Sequence, residues 1–302
     1  MSKVAIVTDS TADFPKGAVE ELDITVVPVQ VIIGEKSYKD GTELTREEFA
    51  KKLQNNPNRK LYNTSQPPPS DFAEAYKRLR KEIDSIISLH PPAELSGIYN
   101  SARLGAELAR EKAKPKKEDA KKEEDKPEIL VIDSSSVSFG LGILVMKAAE
   151  MAKAGASSGE IVETIEKLKS KIYVYALLDN LPWVRQGRGA SIDGLGLLIG
   201  SFIGLKVAIS LHNGKLARAS GTIGYRKKEG GIEGLIRIFQ GLKTRKIQRA
   251  GVIYTPGANE AEEVANWLKL ECPDLEIPII PTGPALTVQA GPNVIAFGVL
   301  TE

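Results

Sequence analysis

The chain holds a single cysteine, Cys272, and two histidines, His90 and His212, among 302 residues. One cysteine excludes an intramolecular disulfide framework, and so few His and Cys side chains exclude a zinc site built from them. A Walker loop is missing as well, because Gly-Lys occurs only at Gly214-Lys215, where Leu216 follows in place of Ser or Thr. The Gly140 and Gly142 pair lacks the third glycine of a dinucleotide fingerprint and reads as close helix packing. With His90 ahead of two prolines and His212 beside a turn, a Ser-His-Asp hydrolase is not expected. Charge of one sign is also missing: 41 basic against 39 acidic residues predict neither a nucleic-acid groove nor a membrane anchor.

Long hydrophobic runs are scarce. The best, "GLGLLIGSFIGLKVAISL" (194–211), is cut by Lys206 before it reaches the roughly 20 residues of a bilayer span, so it reads as a buried helix followed by a strand. The opening "MSKVAIVTDS" carries an apolar run too short for the hydrophobic region of a signal peptide, and the chain is expected to be cytoplasmic. No stable membrane insertion is expected.

What is present is an alternation of short apolar runs and helical patterns. "KVAIVTDS", "ITVVPVQVII", "IDSIISLH" and "EILVIDSSS" read as strands, with "TREEFAKKLQ", a helix capped by Ser70, a helix after Leu95 and a helix from Phe139 to Ala154 between them. That order predicts a mainly parallel sheet buried on both faces. From Lys169 on, "SKIYVYALLD", a hairpin turning at Asn213-Gly214, and further strands and helices predict a mixed or antiparallel sheet. The expected fold is therefore α/β with two α/β domains, residues 1–168 and 169–302, and a charged insertion at 110–128.

The chemistry lies in hydroxyls at strand-to-helix junctions: "VTDSTADFP", "NTSQPPPSDF", "LSGIYNSA" and "IDSSSVSFG". In an open α/β sheet such junctions meet at the carboxyl ends of the strands, where helix N-termini favour an anion. Three prolines fix Thr64, Ser65 and Gln66 on a stiff extended connector, and Gly97 admits close backbone approach beside Ser96. The apolar 194–205 stretch, next to Arg185 and Arg188, supplies a greasy slot, and polar anion site plus slot describe a fatty-acid pocket. Each feature also has a plainer reading as cap, core or surface. Two other functions stay open: a phosphotransferase holding magnesium on Asp9 and Asp133, and a scaffold that binds nothing.

Taken in order, "VTDSTADFP", "TSQPPPSDF", "LSGIYNSA", "IDSSSVSFGLG", "QGRG", "NGKL" ahead of "YRKK", and "GPALTVQAGPN" resemble the DegV family of bacterial fatty-acid-binding proteins across nearly the whole chain. The resemblance implies a lipid pocket between two α/β domains, with no cofactor and no catalysis of its own. It implies a long-chain fatty acid whose carboxylate is held at Thr64 and Ser96, with Ser65, Gly97 and Gln289 beside them. Ser10, Arg188, Leu197, Ile199 and Phe202 are expected to face the pocket or a partner. That partner would be an ATP-dependent fatty-acid kinase subunit, which makes the acyl phosphate used in phospholipid metabolism. The sequence departs from the family pattern at Gln289, where a histidine is usual, at Gln186 in place of the first glycine of Gly-Gly-Arg, and at Gly224 in place of a basic residue.

Overall fold

The structure, a computed structural model, describes residues 3–79, 83–111, 127–186, 205–219 and 225–302. Strands β1 (Val4–Asp9), β2 (Ile24–Val27), β6 (Ser85–His90) and β7 (Glu128–Asp133) form a parallel sheet in the order β2-β1-β6-β7. Its central strands are apolar on both faces, as a sheet covered on both sides requires. Helices α3 (Pro69–Leu79) and α4 (Ile98–Glu111) bring Phe72, Tyr76 and Ala102 onto Val7 and Ile86. On the other face, α5 (Ser138–Lys153) and α6 (Ser158–Lys169) bring Leu141, Leu144 and Ile161 onto Ile6, Ile87 and Leu89. Two shorter helices, α1 (Ala18–Glu21) and α2 (Arg46–Asn55), lie before these; α2 begins on a capping box between Thr45 and Glu48.

The run "ITVVPVQVII" is not one strand. Pro28 has no N–H to continue a ladder, so β2 stops at Val27 and the chain leaves the parallel sheet. It resumes as β3 (Gln30–Ile33) in a separate antiparallel sheet with β4 (Lys36–Lys39) and β5 (Tyr62–Ser65), order β4-β3-β5. The stiff connector ahead of the prolines is thus the edge strand β5, in which Thr64 opposes Val31. A second correction concerns Ser70, which lies within α3 rather than capping it, because the helix already starts at Pro69. Proline suits a first helical turn, where its missing N–H has no intrahelical partner to lose. The ends of the charged insertion are ordered: α4 runs to Glu111 and β7 starts at Glu128, while 112–126 lie outside the described residues.

The second sheet is mixed, in the order β10-β9-β8-β13-β11-β12. It comprises β8 (Ile172–Leu178), β9 (Val207–His212), β10 (Lys215–Arg218), β11 (Ile247–Tyr254), β12 (Ile279–Pro281) and β13 (Ile295–Thr301). Only β11 and β12 pair in parallel; the remaining neighbours are antiparallel. The β9-β10 hairpin turns at Asn213 and Gly214, both at positive φ. Side chains alternate along β8: Tyr173 and Leu177 join Phe239 and Leu268 under helices α8 (Lys228–Lys243) and α9 (Ala261–Glu271), and Val174 points the opposite way into the core shared with α5. Short helices α7 (Leu181–Gln186) and α10 (Pro284–Ala290) complete the second half.

Residue 168 falls in the last turn of α6, between the last element of the parallel-sheet half and β8 of the mixed sheet. The apolar core does not break there. Helix α5 lies between the two sheets, with Phe139 against Gly251 and Gly298 on one side and Gly142 against the Asp13 carbonyl on the other. Gly140 and Gly142 are packing glycines, as expected, since a Cβ on Gly142 would stand 2.1 Å from that carbonyl oxygen.

Candidate functional site

Two of the hydroxyl motifs are stapled together by packing. Ser101 in the first turn of α4 donates its hydroxyl to the Pro67 carbonyl, and a Cβ added to Gly97 would come within 3.0 Å of the Gln66 side chain. The start of α4 therefore sits directly against the proline connector, and Thr64, Ser65, Ser96 and Gly97 gather at one place. A third segment joins them from the far end of the chain. Helix α10 presents Gln289, whose Nε2 donates to Thr64 Oγ1 at 2.6 Å.

These residues line the polar end of a cavity of about 490 Å³ between the sheets. The remaining wall is largely apolar, and one part of it is a face of the mixed sheet: Val174, Ala176 and Leu178 at alternate positions of β8, with Ile209, Leu211 and Ala296 beside them. The sequence placed the greasy slot in 194–205, which apart from Leu205 lies outside the described residues. Arg188, Leu197, Ile199, Phe202 and Gly224 lie outside the described residues. The signal that could have found the wall was the alternation of small and branched apolar residues along "YVYALL". Ser10 is not among the residues of the cavity wall; its hydroxyl donates to Asp40 Oδ2 at 2.9 Å while accepting from Val29 N–H at 3.0 Å.

The hydroxyls along the cavity fall into two kinds. Thr11 donates to Asp9 Oδ1 at 2.5 Å and Ser138 to Asp13 Oδ2 at 2.7 Å, so their protons point into the protein. Thr64 and Ser96 differ. Thr64 Oγ1 accepts from Gln289, Ser96 Oγ accepts from Ile98 N–H at 3.3 Å, and neither proton has a protein acceptor among the described residues. A hydroxyl whose oxygen is already engaged as an acceptor has its proton left to give. The polar end thus offers two donors side by side; on the rest of the wall Thr255, whose Oγ1 accepts from Val294 N–H at 2.8 Å, is a further one.

Behind it runs a buried relay that sequence reasoning missed. Tyr76 donates to Ser88 at 2.9 Å, Ser88 Oγ meets His90 Nε2 at 2.7 Å, and His90 Nδ1 meets Asp9 Oδ2 at 2.7 Å. Asp9 also accepts from Thr11, which reaches the cavity wall. The order Ser-His-Asp is that of a hydrolytic triad, yet Ser88, His90 and Asp9 are all 0% exposed and Ser88 lies outside the cavity wall. No substrate carbonyl can reach that hydroxyl, and the relay ties β1 to β6. Asp133 is likewise engaged, accepting from Ala93 N–H and Ser135 N–H at 2.8 Å each. The carboxylates of Asp9 and Asp133 are thus both engaged in hydrogen bonds within the protein, and among the described residues no cluster of three His, Cys, Asp or Glu side chains could hold a metal.

A second pair of buried carboxylates supports α10. Asp13 Oδ1 accepts from Gly283 N–H at 3.2 Å, and Asp40 Oδ2 accepts from Ala285 N–H at 3.3 Å. Burial pushes Asp13 up to about 6 and Asp40 up to about 7 from the usual carboxylate value of 3.8, against the opposing pull of their hydrogen bonds and of Arg46. At the helix's other end, Trp183 of α7 donates its indole N–H to the Val288 carbonyl at 2.9 Å. Gln289 is thus held from both ends of a helix of seven residues.

Residues 3–302 match the model of the family described as "uncharacterised protein, DegV family". A DegV domain-containing protein of Caldanaerobacter subterraneus subsp. tengcongensis is 31% identical over 303 residues, covering 100% of this chain and 99% of the relative. Another from Clostridium perfringens is 31% identical over 306 residues, covering 100% of both. Among solved structures, the chain resembles DegV of Bacillus subtilis, described as a fatty acid binding protein, with a TM-score of 0.84 at 24% identity over 100% of both chains. It also resembles a stearic acid-binding protein of Eubacterium ventriosum, with a TM-score of 0.85 at 22% identity over 100% of this chain and 98% of that one. The α/β fold with one parallel and one mixed sheet is the fold of those structures, and the chain belongs to the DegV family.

Proposed function

We propose that this protein binds a long-chain fatty acid, with the acyl chain in the 490 Å³ cavity and the carboxylate at Thr64 and Ser96. The observation that carries the reading is the pair of hydroxyls at the polar end: Thr64 and Ser96 face one place, and neither proton has a protein acceptor among the described residues. A carboxylate is an acceptor-only group and would be held there by charge-assisted hydrogen bonds. Gly97 N–H, at the threshold of α4, adds the positive end of a helix dipole. The volume lies within the roughly 300–1,000 Å³ of small-molecule sites. Burying about 14 methylenes contributes on the order of 11 kcal/mol before the costs of immobilisation. The fatty-acid-binding relatives of the same fold support the assignment.

The protein acts as a carrier in the cytoplasm and has no reaction of its own: the Ser-His-Asp relay found among the described residues is sealed in the core, and the hydroxyls of Thr64 and Ser96 are placed to donate to an anion. It presents the ionised carboxylate to a separate ATP-dependent kinase, which transfers a phosphoryl group to one of its oxygens. Gln289, neutral where the family usually has histidine, orients Thr64 without adding charge.

Native mass spectrometry of the purified chain, followed by solvent extraction, tests the reading. A near-equimolar acyl species is expected, either as purified or after incubation with mixed fatty acids. A chain that carries and takes up none refutes it.

A further inference from the structure

The cavity wall is separated from two buried carboxylates by single groups. Ser138 lines the cavity and donates to Asp13; Ala285 lines the cavity and its N–H donates to Asp40. Both aspartates meet the first turn of α10, and Gln289, which orients Thr64, is four residues further along that helix. At a rise of about 1.5 Å per residue, Ala285 and Gln289 are separated by about 6 Å. A carboxylate held at Thr64 would therefore stand about one helical turn from the pair, across protein rather than water.

We propose that Asp13 and Asp40 are positioning residues of the acyl site: they seat the Gln289 helix by its first turn, and their charge is coupled to that of the bound head group, so that a ligand anion and a proton enter together. The coupling rests on the fatty-acid reading above. The groups facing the pair leave it poorly compensated. Among the described residues Arg46 of α2 is the cation beside the pair, 4.0 Å from Asp13 with its own side chain 41% exposed, and the Asp13 charge raises the cost of ionising Asp40. The contacts from the β1–α1 loop, α5 and α10 are neutral: Ser10, Ser138, Gly283 N–H and Ala285 N–H. Burial places the titration of Asp13 near 6 and of Asp40 near 7, inside the range a cell visits.

The direction follows from reciprocity. A ligand anion disfavours the ionised aspartates, so it draws protons onto them, and protonated aspartates in turn favour the anion. At about 8 Å and an effective dielectric constant of about 20, the repulsion of two unit charges corresponds to on the order of a ten- to thirtyfold change in an equilibrium constant.

The experiment measures the affinity of dodecane-1-sulfonate, which stays anionic throughout, between pH 8 and pH 5.5. About tenfold tighter binding is expected at the acid end for the wild-type chain. Asp40→Asn and Asp13→Asn are each expected to flatten the profile and to bind more tightly than wild type at pH 8. Calorimetry of dodecanoate binding at pH 7 in two buffers of different ionisation heat is expected to show net proton uptake by the wild type, a readout that needs no variant. A flat sulfonate profile with no proton uptake, or a profile unchanged in both variants, overturns the coupling while leaving the acyl site standing. Failure of both ligands to bind at any pH overturns the acyl site and the coupling together.

Discussion

Replacing Thr64 by Val removes one hydroxyl and keeps the branched shape of the side chain, so the cavity wall is unchanged in volume. Two effects follow from the geometry. The ligand carboxylate loses a donor, and hydrogen bonds to charged groups are worth about 1.5–3 kcal/mol each. The Gln289 amide, which donates to Thr64 Oγ1 at 2.6 Å, loses its acceptor and becomes free to turn toward the ligand. That rescue places the loss at the lower end, near 1.5 kcal/mol, or about a tenfold rise in Kd. Ser96→Ala has no such neighbour to substitute for it, because Ser96 Oγ accepts only from Ile98 N–H. The double variant is expected to lose more than the sum of the two, since Gln289 alone cannot hold both carboxylate oxygens. The assay is displacement of a fluorescent fatty acid by palmitate, with far-ultraviolet circular dichroism to establish that the variants are folded. Wild-type affinity in folded Thr64→Val and Ser96→Ala chains would place the carboxylate elsewhere.

Gln289→Glu adds a negative charge at the head group and is expected to weaken fatty-acid binding more than Thr64→Val, which the same displacement assay reads; equal effects would count against the carboxylate's position. Asp40, raised from 3.8 to about 7 by burial, binds its proton more tightly in the folded chain than in the unfolded one. Its stabilising contribution is therefore full below about pH 4 and lost as pH rises through about 7, on the order of 4 kcal/mol. Thermal melts of the ligand-free protein are expected to show a higher midpoint at pH 5 than at pH 8, with the difference reduced in Asp40→Asn. His90→Leu leaves Asp9 buried without its partner and is expected to cost about 3–5 kcal/mol, measured by urea denaturation. Gly142→Ala drives a methyl group into the Asp13 carbonyl and is expected to lower the melting midpoint and loosen the cavity, because α5 can no longer sit between the sheets.

Fold class was legible because it depends on local periodicity. The apolar runs of β1, β6 and β7 alternate with amphipathic helices, and that order alone selects a parallel sheet with crossovers. The Asn213-Gly214 turn was legible for the same reason, since its residues must adopt positive φ whatever surrounds them. The proline connector fixed its own shape too. Pro28 was the local signal that was passed over: its missing donor ends β2 and sends the chain into another sheet.

The pairing of distant residues was decided by tertiary structure alone. Nothing within "GPALTVQAGPN" says that Gln289 meets Thr64, 225 positions away, or that the first turn of its helix rests on Asp13 and Asp40. Which hydroxyls keep a proton for a ligand is equally invisible in sequence, because Thr11, Ser138, Thr64 and Ser96 are chemically alike until their partners are fixed. Periodicity tells which side of an element is buried, and that much the chain carries in itself. Donor and acceptor assignments, and the burial that shifts a carboxylate, are properties of the space between elements and exist only once the sheets have closed on one another.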